Sequence, residues 1–126
     1  MKILSIAVPC YNSQEYMRKC VDSLLKGGED VEILIVDDGS KDDTLKIARD
    51  YEEKYPTIVK AIHQENKGHG GAVNTGLAHA TGLYFKVVDS DDWLTAEALK
   101  KALEVLKLYV RGPKPLALLL CIYVYE

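Results

Sequence analysis

Three carboxylates crowd into the tetrapeptide Asp89-Ser90-Asp91-Asp92. Like charges this close make one another costly to ionise, and a turn needs only one of them. A hard divalent cation relieves the repulsion: Mg²⁺ and Mn²⁺ take oxygen ligands, commonly one or two protein carboxylates together with substrate phosphates and water. Acids drawn to a helix start by its dipole would account for Asp92 better than for Asp89 and Asp91. The segment therefore reads as a site where Asp89, Asp91 and Asp92 hold Mn²⁺ or Mg²⁺ against a phosphate-bearing ligand.

Three other segments carry polar or glycine-rich chemistry. In Asp37-Asp38-Gly39-Ser40 adjacent carboxylates can accept hydrogen bonds from a base N–H or a ribose hydroxyl, although Asp-Asp-Gly is also a common turn. In Pro9-Cys10-Tyr11-Asn12 the Tyr11 ring is suited to stack on a planar heterocycle. Asn12 reads first as a helix cap, with Glu15 three residues on, and Ser40 likewise with Asp43. The run Asn66 to Gly76 has glycines that let backbone approach a ligand, with Gly70-Gly71 at a helix start where free N–H groups point outward. Lys67 and His69 read as solvated, and His63 and His79 have no evident partner.

These segments need a scaffold that brings them together. Ile3 to Val8 and Val31 to Val36 are apolar, β-branched runs of the kind buried on both faces of a parallel sheet; Ile58 to Ile62, Tyr84 to Val88 and Leu116 to Tyr125 are further strand candidates. Between them Met17, Cys20, Val21, Leu24 and Leu25 fall on one helical face stopped by Gly27-Gly28. A second helix runs from the Ser40 cap to about Tyr55, a third from Ala72 to Ala80. A fourth, capped by Thr95, carries Leu99, Ala102, Leu103, Leu106 and Val110 and ends at Gly112-Pro113. Strands alternating with helices imply right-handed crossovers and an α/β/α three-layer sandwich on a mostly parallel sheet. Ligands of such sheets bind beyond the carboxyl ends of the strands, where all four segments emerge.

Composition sets the outer bounds. The 126 residues suit one domain, and 48% hydrophobic with 28% charged residues is the balance of a packed globular chain. A net charge of −3 supplies no field to gather nucleic acid. Cys10, Cys20 and Cys121 lack metal-ligand spacing and read as buried reduced thiols of a cytoplasmic protein. The longest apolar run, Leu116 to Tyr125, is about half of the ~20 residues a membrane helix needs. A dinucleotide-binding domain would place its glycine fingerprint after the first strand, where Pro9-Cys10-Tyr11-Asn12 has none. Phosphatases and receiver domains would set their densest acidic cluster after an early strand.

Taken in order, Val8-Pro9-Cys10-Tyr11-Asn12, Ile35-Val36-Asp37-Asp38-Gly39-Ser40, Asn66 to Gly76 and Val88-Asp89-Ser90-Asp91-Asp92-Trp93 resemble the four motifs of the family-2 glycosyltransferases, inverting enzymes of the GT-A fold. The last looks like that family's Asp-x-Asp motif with its following aromatic. The resemblance implies metal-dependent transfer of a hexose from a nucleotide-diphosphate sugar, a UDP-sugar by expectation, to a saccharide or lipid-linked acceptor in polysaccharide biosynthesis. Pro9 and Tyr11 would border the nucleotide, Asp38 would contact the base, and Asp89 and Asp91 would serve ribose and metal, with Asp92 a second-choice metal contact. Asn12, Gly70 and Asn74 join the nucleotide-binding set. Val73 stands where many relatives have Arg. The catalytic base and acceptor site of relatives fall beyond the final strand, so residues 1–126 read as the N-terminal donor-binding domain of a longer enzyme, cytoplasmic or at the inner membrane face. Its last strand would be an edge open to pairing with a second copy. A non-catalytic nucleotide-sugar-binding domain is the alternative.

Overall fold

The computed structural model describes residues 2–111. The expected strand from Leu116 to Tyr125, the break at Gly112-Pro113, Cys121 and pairing through a final edge lie outside those residues. Within them four parallel strands form one sheet: β1 (Leu4–Cys10), β2 (Val31–Asp38), β3 (Val59–Gln64) and β4 (Tyr84–Val87), in the order β3-β2-β1-β4. Every residue of β1 and β2 is buried, as continuous apolar runs require when both faces are covered.

Helices α1 (Met17–Leu25), α2 (Thr44–Lys54), α3 (Gly68–His79) and α4 (Ala96–Arg111) connect and flank the strands. From β1 to β2 to β3 the chain steps across the sheet in one direction, then returns over the far side of β1 to β4. Right-handed crossovers made in opposite directions must lie on opposite faces. Accordingly Leu4, Ile6, Val8, Ile33 and Ile35 face a core completed by Met17, Cys20, Val21 and Leu24 of α1, Ile47 and Ala48 of α2 and Leu99, Leu103 and Leu106 of α4. The alternate residues Ala7 and Val36 lie under α3, where a Cβ on Gly76 would come within 2.6 Å of the Ala7 Cβ. That close approach demands glycine. The result is the expected α/β/α sandwich.

Some boundaries differ from the sequence reading, each for a local reason. Helix α3 begins at Gly68 rather than Ala72, so most of the glycine-rich run is helical. Asp38 supports that start by accepting the N–H groups of Lys67 (2.7 Å) and Gly68 (2.9 Å). Asn12 does not cap α1; it sits at φ +48°, its N–H donates to Ser40 Oγ and its side-chain oxygen accepts Lys41 N–H, tying the β1 exit to the β2 exit. The Ser13 carbonyl accepts the N–H groups of Tyr16 and Met17 instead. At α2 the side chain accepting the first-turn N–H of Thr44 belongs to Asp42, not Ser40. Thr95 does cap α4, accepting Ala98 N–H at 3.1 Å.

At the amino-terminal edge of the sheet lies a carboxylate the sequence reading passed over. Glu32 is 2% exposed and accepts hydrogen bonds from Ser5 Oγ (2.7 Å), Thr81 N–H (2.8 Å) and Thr81 Oγ1 (2.9 Å), with Lys60 Nζ at 3.0 Å. Burial pushes its pKa up, but those partners outweigh it and bring the carboxyl to about 2. Glu32 thereby fastens β1, β2, β3 and the approach to β4 to one another.

Candidate functional site

The strand order reverses between β1 and β4, which leaves a crevice beyond their carboxyl ends. A cleft of about 390 Å³ opens there. Pro9 and Tyr11 from the β1 exit form one wall, Asp38 and Asn66 another, Gly68, His69 and Ala72 of α3 a third, and Asp89, Ser90 and Asp91 the floor toward β4. A hydrogen bond of 2.9 Å between the Ser13 and Ser90 hydroxyls joins the two exits beneath it. The four segments that the sequence singled out thus meet in one place.

Strand alternation separates the two acids at the end of β2. Asp37 points to the α1/α2 face, is fully buried and pairs with His63 Nδ1 at 2.8 Å, the partner that sequence reading did not find. Asp38 points to the cleft. Its carboxylate accepts Gln64 Nε2 (2.8 Å) besides the Lys67 and Gly68 N–H groups; burial acts to raise its pKa, but these bonds prevail and hold it below the usual carboxylate range. Gly39 makes the approach possible. It takes φ +76°, and a Cβ there would lie 2.9 Å from the Asn66 backbone nitrogen.

Tyr11 is 47% exposed, so its ring is open to the cleft. Tyr16, which the sequence reading gave no role, also borders it; its spacing from Tyr11 carried no signal because the turn between them is irregular. Asn12 lies behind the wall in the hydrogen bonds described above, while Gly70 and Asn74 are exposed on α3 and do not border the cleft. Cys10 and Cys20 are buried free thiols, and burial pushes Cys10 up to about 12, so neither is a nucleophile at neutral pH. His79 Nδ1 donates to the Thr75 carbonyl and serves α3 itself.

Asp89, Asp91 and Asp92 are all exposed, and one carboxylate oxygen from each lies within 4.8 Å of the others. Burial, then the charges of Asp91 and Asp89, raises the pKa of Asp92. Among the described residues no Lys or Arg forms an ion pair with the three; His69 Nε2 reaches Asp89 Oδ1 at 3.0 Å. An all-oxygen, acidic, solvent-open set of this kind fits a hard divalent cation that keeps open positions for another ligand. Trp93, next in the chain, lies under Lys19 Nζ, 3.6 Å from the ring centroid.

No helix among the described residues is long and apolar enough to cross a membrane. Known proteins resemble the chain over most of its length. Chondroitin synthase of Escherichia coli is 41% identical over 103 residues, covering 81% of this chain and 15% of that protein. The structure of S. aureus TarS in complex with UDP-GlcNAc superposes with a TM-score of 0.75 at 35% identity, covering 87% of this chain and 32% of that one. The mannosyltransferase PcManGT of Pyrobaculum calidifontis, in complex with GDP-Man and Mn²⁺, gives 0.72 at 27% identity over 87% of this chain and 32% of its own. The chain therefore spans about a third or less of the length of these relatives. The family described as glycosyl transferase family 2 matches residues 5–109, four motifs and cleft included, and this chain belongs to it.

Proposed function

We propose that this chain is the donor-binding domain of a glycosyltransferase that uses a nucleotide-diphosphate sugar, and that Asp89, Asp91 and Asp92 hold Mn²⁺ or Mg²⁺ beside the donor's diphosphate. The observation that carries the reading is the acidic cluster itself: three mutually repelling carboxylates open to solvent at the sheet's switch point, two of which, Asp89 and Asp91, border the cleft. In a protein of net charge −3 a cation joining such a cluster relieves its mutual repulsion. The complexes of TarS with UDP-GlcNAc and of PcManGT with GDP-Man and Mn²⁺ support both donor and metal.

Within the cleft Tyr11 and Pro9 supply an aromatic and an apolar wall against which a base would stack. Asp38 would meet the base or ribose as a carboxylate already fixed by three donors, so little side-chain freedom is lost on binding. A cation bound at the cluster would neutralise charge developing on the leaving diphosphate. The acceptor hydroxyl attacks the anomeric carbon from the face opposite that diphosphate; its oxygen bonds carbon as the carbon–phosphate-oxygen bond breaks, and its proton goes to a base. Asp38 is ill suited to that last role because the three hydrogen bonds that hold its pKa below the usual carboxylate range make it a weak base. The acceptor belongs to saccharide or lipid-linked glycan chemistry, and a UDP-sugar is the first donor to try.

Calorimetric titration of the chain with UDP and with GDP, each with and without Mn²⁺, tests the reading. Wild type should bind at least one of them only when the metal is present. Asp91→Ala should weaken that binding by roughly 30-fold or more, about 2 kcal/mol. Binding that is indifferent to Mn²⁺ and to Asp91 would remove the metal from the account.

A further inference from the structure

The cleft combines an anionic lining with a proposed anionic ligand. Asp38, Asp89 and Asp91 all border it, while among the described residues no Lys or Arg does; His69 borders it with an imidazole that can donate to phosphate. A nucleoside diphosphate is itself a polyanion, and a single bound cation compensates only part of that repulsion. The start of α3, which the sequence offers as a phosphate cradle, is partly committed, because Asp38 takes the N–H groups of Lys67 and Gly68. His69 stands in the first turn of the same helix, and its Nε2 lies 3.0 Å from Asp89 Oδ1.

That pair does little for the fold. Both side chains are exposed, His69 by 66% and Asp89 by 53%, and exposed pairs of this kind contribute little to stability. An imidazole held so lightly across the cleft can exchange its partner at small cost. Resting on the donor reading above, we propose that His69 is a ligand-contacting residue: its Nε2–H, which bonds Asp89, turns to the diphosphate of the bound nucleotide sugar. Asp89 is then released to its own ligands. The imidazole would thus supply a side-chain donor to the phosphates from α3, one turn before Val73.

The test compares wild type, His69→Ala and His69→Gln by titration with UDP and GDP in Mn²⁺, and measures Mn²⁺ affinity without nucleotide by electron paramagnetic resonance. His69→Ala should weaken binding of the diphosphate that wild type accepts by about tenfold, the loss of one hydrogen bond to a charged group. His69→Gln, which keeps an N–H at similar reach, should recover most of it, and Mn²⁺ affinity should stay within about twofold of wild type. Unchanged diphosphate affinity in His69→Ala would overturn the proposal while leaving the donor reading intact. An equal fall in Mn²⁺ affinity would also overturn it, because His69 would then act only by positioning Asp89. Failure of wild type to bind either diphosphate would overturn the donor reading, and this proposal with it.

Discussion

The sheet carries acid at both ends and treats it in opposite ways. At the amino-terminal edge Glu32 is buried, receives three hydrogen bonds and an ammonium, and is held at a pKa of about 2. At the carboxyl-terminal edge Asp89, Asp91 and Asp92 are exposed, have His69 as their one side-chain partner among the described residues, and Asp92 is pushed upward in pKa. The same functional group is a fastener where its partners are built in, and a candidate ligand site where they are left out. Satisfaction of the carboxylate, not its presence, separates structure from function here.

The largest effect that would break this contrast is on folding. Glu32→Ala should cost about 2–3 kcal/mol, because it leaves the buried Ser5 hydroxyl without its acceptor and removes the link to Thr81, read by urea denaturation. Asp91→Ala should leave the same curve within about 0.5 kcal/mol. If the two variants are equally stable, Glu32 is not the fastener described.

Acid should expose the difference next. The folded-state pKa of Glu32 lies below the 4.5 of the free side chain, so its contribution is complete above pH 4.5 and disappears as pH falls toward 2. The full loss is about 3 kcal/mol at 1.36 kcal/mol per unit. Denaturation of wild type and Glu32→Gln across that window should show their gap closing; a constant gap contradicts the assignment. The acidic cluster should behave with the reverse sign. A raised pKa means that ionised Asp92 is disfavoured in the fold, a cost present above that pKa and relieved as protons bind. At neutral pH without metal, Asp92→Asn should therefore raise the melting temperature slightly, by no more than about 0.5 kcal/mol in stability. A lowered melting temperature would mean that the cluster already has its counter-charge.

Sequence made the scaffold legible where one physical signal dominated. The apolar runs of β1 and β2 and the helical spacing of Met17, Cys20, Val21 and Leu24 each have a single reading, and the structure has them where expected. Legibility failed where a residue had two uses. Gly68, Gly70 and Gly71 look like loop by propensity, yet they open α3, because the Asp38 carboxylate, distant in sequence, supports the helix start. Asn12 and Ser40 carry capping side chains but spend them on each other's loops. His69 and His63 were unreadable because their partners, Asp89 and Asp37, are 20 and 26 residues away and only the sheet brings them together. Glu32 was hidden by its place inside an apolar run.

The carboxylates at the β4 exit should grip a divalent cation together with a donor diphosphate. A crystal soaked in MnCl₂ and UDP, examined at the manganese absorption edge, would reveal that grip. The map should hold one anomalous peak bound by Asp91, with UDP phosphate oxygens completing its ligands and the base against Tyr11. A map with UDP in the cleft and no manganese at these carboxylates, or with manganese bound elsewhere on the chain, would contradict it.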